Sequence, residues 1–259
     1  MNTLVRLFGF PGTLLHGDPL FLDRWRWLKK HLPPRDDHPT LLDIGCGVGA
    51  FSIAAALRGY HALGLSWDER NQNVAAERAK LCKAPLARFA VQDVRFLDQC
   101  AGLQGQFDVV VCCENIEHIL DDKKLAKDMA ACLKPGGTLL LTTPNINFKP
   151  MHGDDAPLSK VEDGGHVRRG YSQSMLHELC DTAGLQVKEI GCCGSFFSQK
   201  LTSLCRRLCR INKAFGCAFI LPLRILPVLF EPFITKILKW PEYSITLVAT
   251  KTTIKPGIV

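Results

Sequence analysis

Three glycines at alternate positions, Gly45, Gly47 and Gly49, follow the apolar run "LLDI" (41–44), and Asp43 sits inside that run. Backbone so bare lets a ligand approach with no Cβ in the way; the plainer reading is a tight turn with no ligand. A second group lies in "FDVVVCCENIEHIL" (107–120), where Glu114, Glu117 and His118 follow an apolar stretch. In a helical turn Glu114 and His118 stand four apart with Glu117 beside them, so all three converge on one edge of a pocket. Carboxylates and an imidazole placed together can orient a nucleophile and remove its proton. A further imidazole, His166, follows in "GGHVRRGYS".

These residues need elements to carry them. Asp18 before Pro19 forms an N-cap and first-turn pair that opens a helix "PLFLDRWRWLKKHL", ended by Pro33 and Pro34. Apolar runs predict strands at 40–44, 61–66, 87–92, 107–113, 137–143, 186–191 and 243–250. Helical stretches near 49–58, 69–83, 95–101 and 121–133 separate the first five. Such alternation builds a doubly wound α/β fold, a parallel sheet with helices on both faces. The glycines then form the turn from first strand to first helix, at the strand edge where ligands bind in such sheets.

A chain of 259 residues, 47% hydrophobic, suffices for one large domain. The twelve cysteines lie in apolar stretches without a CxxC pair, as expected of reduced thiols in a cytoplasmic protein. Gly9, Pro11 and Gly12 interrupt the apolar N-terminus, which argues against a signal peptide. The net charge of +7 is concentrated: from Lys200 onward ten Lys and Arg face Glu231 and Glu242, which leaves residues 1–199 at about minus one. The main body is therefore not a basic nucleic-acid binder.

The pattern Asp43-Ile-Gly45-Cys-Gly47-Val-Gly49 resembles motif I of the class I S-adenosylmethionine-dependent methyltransferases. The same family is resembled by "ALGLSWDERNQNVAAERA" (62–79), "VQDVRFL" (91–97), the fourth-strand stretch 107–120, "LKPGGTLLLTTPN" (133–145) and "GHVRRGYSQSMLHELCDTAGL" (165–185). These matches, in family order, cover most of residues 40–195. The resemblance implies a Rossmann-like sheet of seven strands, mostly parallel with the last antiparallel. It implies that S-adenosylmethionine is held by Asp43, Gly45, Cys46, Gly47, Gly49, Ser66, Trp67, Asp93, Val94 and Glu114. In that scheme Asp43 lies near the ammonium group, the loop N–H groups near the carboxylate, and Asp93 accepts from the adenine amino group, unless it only caps the next helix. One departure stands at the end of the second strand. The family usually carries Asp or Glu there for the ribose hydroxyls, whereas this chain has Ser66, with Asp68 placed either to compensate or to cap a helix.

The ExxEH spacing with a later histidine resembles the metal-binding set of small-RNA 2′-O-methyltransferases, and a similar EH pair occurs in ubiquinone-pathway O-methyltransferases. It implies Glu114, Glu117, His118 and His166 as ligands of Mg²⁺ or another divalent metal. Metal-free relatives share these residues, so the alternatives are a catalytic group of His118, Glu117 and His166 with His118 as base, or a structural His118. Arg168 and Tyr171 are placed in the pocket or lid, or at the surface.

Two segments remain. The polar stretch 146–170 is long enough for a lid. Residues 203–240 stand where the family has a short hairpin, and Pro222, Pro227 and Arg224 interrupt their apolar run, which argues against a spanning helix. Their basic and apolar character suits peripheral membrane contact or a greasy substrate; a helical insert over the pocket mouth or a homodimer face is the alternative. The division expected is a single domain: an N-terminal helical cap (1–38), a cofactor-binding core (39–195), the insert (196–241) and a last strand (242–251). The expected function is methyl transfer to an oxygen, less readily nitrogen or carbon, of a small, fairly apolar molecule. An RNA 2′-O-methyltransferase and an inactive cofactor-binding partner subunit are the competing readings.

Overall fold

The computed structural model describes residues 2–152, 154 and 157–252, with backbone only at 213, 214, 228, 231–233 and 236. Seven strands, β1 (Thr40–Ile44), β2 (His61–Ser66), β3 (Ala87–Val91), β4 (Phe107–Cys113), β5 (Leu133–Pro144), β6 (Leu185–Cys193) and β7 (Ser244–Lys251), form one sheet in the order β3-β2-β1-β4-β5-β7-β6. The first five run parallel, while β7 lies antiparallel between β5 and β6. Strand order reverses between β1 and β4, which pair directly, Ile44 opposite Cys112. The loops leaving these two strands diverge and leave a crevice between them. The glycines follow β1 and the Glu114–His118 stretch follows β4, so both candidate groups are delivered to one place.

The apolar runs are continuous because both sheet faces are covered. Leu42, Ile44, Val110, Cys112, Leu139 and Leu141 pack on one face against helices α6 (Asp122–Cys132) and α7 (Gln173–Ala183). Leu41, Val111 and Leu140 face the other way, toward α3 (Pro19–His31), α4 (Ala50–Ala56) and α5 (Glu69–Leu81). Asp18 caps α3 with Pro19 in its first turn, as the sequence predicts. Two shorter helices not foreseen precede it, α1 (Thr3–Phe8) and α2 (Phe10–His16). Gly12, read as a breaker, instead lets them cross closely, since a Cβ there would stand 2.2 Å from the Leu4 carbonyl oxygen.

The helix expected at 95–101 is replaced by two 3-10 turns, Val94–Gln99 and Ala101–Leu103, with Phe96 outside helical geometry. The carbonyl of Arg95 accepts from Lys124 Nζ at 2.9 Å. A helical insert stands near the C-terminus and comprises α8 (Phe196–Ile211), α9 (Lys213–Leu223) and α10 (Ile225–Leu238). No described helix is long and apolar enough to cross a membrane.

The segment after β5 returns to the body through a buried clamp. Arg168 Nη2 donates to the carbonyls of Ile119 (2.6 Å) and Leu120 (2.8 Å), and its Nη1 meets Asp122 and, at 2.8 Å, the Tyr171 hydroxyl. That hydroxyl donates to Asp122 at 2.8 Å. Arg168 and Tyr171 are thus anchors of the segment, the burial of Tyr171 being complete. Replacing Tyr171 by Phe leaves Asp122 one donor short, and the expected loss is about 1–3 kcal/mol. Urea unfolding checks this; an unchanged midpoint would mean the clamp contributes nothing.

Candidate active site

Each of the three glycines answers a different demand. Gly45 and Gly49 adopt φ +70° and +77°, and a Cβ would stand 2.3 Å from Asn115 Oδ1 at the first and 2.6 Å from the Phe89 ring at the second. The fold itself requires them. Gly47, at φ +53°, has nothing within 4 Å of where its Cβ would be, so its bareness leaves room rather than avoiding a neighbour. Two adjoining cavities of about 320 and 240 Å³ open there, both lined by Gly45, Gly47 and Glu114. Wider depressions of about 800 and 640 Å³ lie beside α5 and at the opposite strand edge, away from the convergent polar groups.

The smaller cavity is polar at both ends. Asp43 is buried, its Oδ2 accepting from Ser52 Oγ at 2.6 Å, and burial pushes its carboxyl pKa up to about 6. Opposite, α3 supplies Arg24, which pairs with Glu114 at 3.0 Å and Asp18 at 3.5 Å. Burial works against the guanidinium, but these carboxylates outweigh it and hold its pKa above the usual arginine range. Its Nε is buried with no partner among the described residues. No signal in the sequence marks Arg24; only the packing of α3 over the loop brings it in. Cys46 lines the smaller cavity and turns its sulfur toward Gln72 Nε2 at 3.4 Å, and burial pushes the thiol up.

The larger cavity is lined by Ser66, Trp67, Asp93, Val94 and His118. Ser66 Oγ accepts from the Asp68 amide at 3.3 Å, while Asp68 caps α5 through the amides of Arg70 and Asn71. Of its two expected roles, Asp68 thus performs the cap. Asp93 accepts from the Arg95 amide and is gripped by the Arg95 fork, Nε at 2.9 and 3.0 Å and Nη2 at 2.5 Å, which lowers its pKa. Any further donor would share lone pairs with Arg95. Trp67 is 69% exposed at the rim and Val94 is buried.

Glu117, His118 and His166 come together, with ligand atoms all within 4.8 Å of one another. Glu117 is wholly buried; Oε2 accepts from Thr143 Oγ1 at 3.1 Å and Oε1 has no partner among the described residues. Burial, assisted by the nearby Glu114 carboxylate, raises its pKa well above the ordinary range. His118 Nδ1 lies 3.1 Å from the Gly165 carbonyl. A carbonyl only accepts, so Nδ1 carries the proton and the lone pair is on Nε2, 4.0 Å from Glu117 Oε1. The His166 ring stands edge-on at 4.6 Å, its pKa lowered by burial and by His118.

Glu114 does not join them. Its convergence with His118 required a helical turn, but Glu114 adopts φ +50° and only Ile116–His118 form a single 3-10 turn. Its carboxylate therefore points to Arg24, Thr142 Oγ1 (3.1 Å) and Ser244 Oγ (2.9 Å). The four-ligand set is thereby reduced to Glu117, His118 and His166.

Residues 19–190 match a family described as a methyltransferase domain. A ubiquinone biosynthesis O-methyltransferase of Coxiella burnetii (strain Dugway 5J108-111) is 32% identical over 175 residues, 64% of this chain and 71% of that protein. The chain belongs to the class I S-adenosylmethionine-dependent methyltransferases. Its fold is shared with phosphoethanolamine N-methyltransferase 2 of Haemonchus contortus solved with S-adenosyl-L-methionine (TM-score 0.58, 21% identity, 89% of this chain and 52% of that one). It is also shared with geranyl diphosphate C-methyltransferase of Streptomyces coelicolor A3(2) (TM-score 0.56, 17% identity, 88% and 76%). Oxygen, nitrogen and carbon acceptors thus occur among proteins similar to this methyltransferase, and the fold alone does not choose between them.

The different surroundings of Gly45 and Gly47 separate folding from cofactor binding. Gly47→Ala places a methyl group in open space and costs about 1–2 kcal/mol for its left-handed backbone, while S-adenosylhomocysteine affinity is expected to fall at least about tenfold by lost complementarity. Gly45→Ala is expected to lower thermal stability further, because its Cβ meets Asn115. Calorimetric titration and thermal melts of both variants check this; equal effects on both quantities would refute the division.

Proposed function

We propose that this methyltransferase transfers a methyl group to a hydroxyl oxygen of a small, fairly apolar molecule. The observation that carries the reading is the His118 Nε2 lone pair facing the cavity edge beside the buried Glu117 carboxyl. A hydroxyl acceptor must lose its proton as the new bond forms, whereas a neutral amine can attack before losing one. The similarity to a ubiquinone biosynthesis O-methyltransferase supports the same acceptor atom.

The cavity chemistry fits the cofactor: open space at Gly47, a buried acid at one end and an unpartnered guanidinium nitrogen at the other. When bound, S-adenosylmethionine supplies an electrophilic sulfonium methyl. Asp43 would hold its ammonium, Arg24 and the loop amides its carboxylate, Ser66 a ribose hydroxyl, and Asp93 with Val94 the adenine edge. His118 Nε2 takes the acceptor proton, and Glu117 Oε1, 4.0 Å away, is placed to accept from the protonated ring. The segment 146–170 orients His118 through Gly165 and screens the site from water.

A second reading is favoured by the partnerless Glu117 Oε1. With His118 and His166 it would hold a divalent ion, which would lower the pKa of an acceptor hydroxyl. One carboxylate and two imidazoles suit Mn²⁺ or Zn²⁺ at least as well as Mg²⁺. An RNA substrate fits less well, since residues 1–199 carry about minus one charge. An inactive binding subunit would have no use for a convergent Glu117, His118 and His166.

Two experiments test these assignments. Labelled-methyl transfer to phenols, hydroxylated lipids, amines and short RNAs should favour phenols or hydroxylated lipids. Glu117→Gln and His118→Gln should then lower turnover about 10²–10⁴-fold with S-adenosylhomocysteine affinity retained; full turnover in both variants, or preference for an amine, would sink the reading. Titration with Mn²⁺ after EDTA treatment decides the second: metal binding lost in Glu117→Ala supports it.

The pH dependence of cofactor binding follows from Asp43. Its folded pKa, about 6, lies above the ordinary 3.8, so its contribution to apo stability is present below the ordinary value and lost as pH rises through about 6. Cofactor ammonium prefers the ionised acid, so affinity should fall with pH below about 6, by up to about tenfold per unit. Asp43→Asn should flatten that slope; a wild-type affinity unchanged from pH 7 to 5 would refute the contact.

A further inference from the structure

The insert is built inside out. Against α3, helix α8 buries Ser198, Gln199 and Thr202 with Leu201. Asp23 of α3 is buried beside Ser198, and Trp27 Nε1 and Thr202 Oγ1 are buried with no partner among the described residues. The outer helices α9 and α10 do the opposite. Phe215 and Phe219 of α9 are 55% and 47% exposed, Leu229, Phe230 and Ile237 of α10 are 55%, 47% and 73%, and Ile211 at the end of α8 is 82%. Water-facing helices normally bury such side chains and leave hydroxyls and amides outside. A patch of this size marks an interaction surface.

We propose that the outward faces of α9 and α10 rest on an anionic lipid bilayer, with the helices lying in the headgroup plane. Charge selects this occupant. Exposed Lys200, Arg207, Arg210 and Lys239 accompany the patch, in an insert (196–241) whose sequence holds eight Lys and Arg against Glu231 alone, whereas the rest of the chain is near neutral. A second copy would bring the same cations against themselves, while phosphate headgroups neutralise them. Just past α10, the Trp240 ring carries Lys149 (4.0 Å) and Lys200 (4.4 Å) over its face and donates its Nε1 to Gln199 Oε1 at 3.1 Å, which ties cations to the base of the insert. Pro222 within α9 and the absence of any described helix able to span keep the contact peripheral.

The docked insert touches the lid. Arg206 of α8 pairs with Asp154 at 2.5 Å and donates to the His152 carbonyl, and Ser203 Oγ accepts from the His152 amide at 3.1 Å. The same lid segment carries Gly165 and His166. A lipophilic acceptor would thus reach the pocket from the membrane side, a consequence that rests on the proposed acceptor class, although docking itself does not.

Co-sedimentation of the full chain with phosphatidylglycerol–phosphatidylcholine vesicles tests the proposal, with pure phosphatidylcholine as reference. Anionic vesicles should bind the protein and lose it as salt rises. Arg207→Glu with Arg210→Glu should weaken partitioning by at least roughly fivefold per cation, and Phe215→Glu with Phe219→Glu should abolish it. S-adenosylhomocysteine affinity should be unchanged in all variants, which verifies folding and keeps the cofactor assignment separate. No binding to anionic vesicles by a protein that binds S-adenosylhomocysteine would overturn the proposal. So would vesicle binding indifferent to these substitutions, or a stable dimer in sedimentation that Phe219→Glu dissociates.

Discussion

Glu114 holds the geometry on which the site depends. Its left-handed backbone, φ +50°, costs about 1–2 kcal/mol in a residue with a Cβ. The carboxylate that offsets this cost ties together four elements: β4, on which it follows, β5 through Thr142, β7 through Ser244 and α3 through Arg24. Turning Glu114 toward α3 turns Glu117 and His118 the other way, toward the lid. One residue therefore separates Arg24 and Asp43 from the group of Glu117, His118 and His166.

The division also arranges charge. Arg24 and Glu114 neutralise each other on one side, while on the other Glu117 is driven toward its neutral form by burial. There the tautomer of His118 is set by backbone: the Gly165 carbonyl fixes its proton on Nδ1. The lid thus does more than cover, since its main chain decides which nitrogen of His118 faces inward.

Much of the fold was legible because strands buried on both faces read as unbroken apolar runs, and all seven were placed within a few residues. The capped helix from Pro19 and the glycine turn were equally plain, since Asp18, Pro19 and the spaced glycines act locally. The failures share one cause, dependence on distant partners. The 95–101 stretch, whose Arg95 carbonyl is held by Lys124, 29 residues on, winds as 3-10 turns, and Glu114 left the expected ligand set because Arg24 and Ser244 lie far along the chain. Arg24 itself was invisible for the same reason. Glu117, His118 and His166 came together as expected because a short turn and the lid return suffice to join them.

Strand order has a consequence for how the chain is completed during synthesis. β6 has a single neighbour, β7, which follows about fifty residues later, after all of α8, α9 and α10. On the ribosome the insert emerges while β6 still lacks its partner and the edge of β5 is unfilled. β7 then slides between them as a bolt, and only its arrival brings Ser244 to Glu114. The Arg24–Glu114 side of the crevice is thus locked by the seventh strand, which follows the greasy helices in the chain.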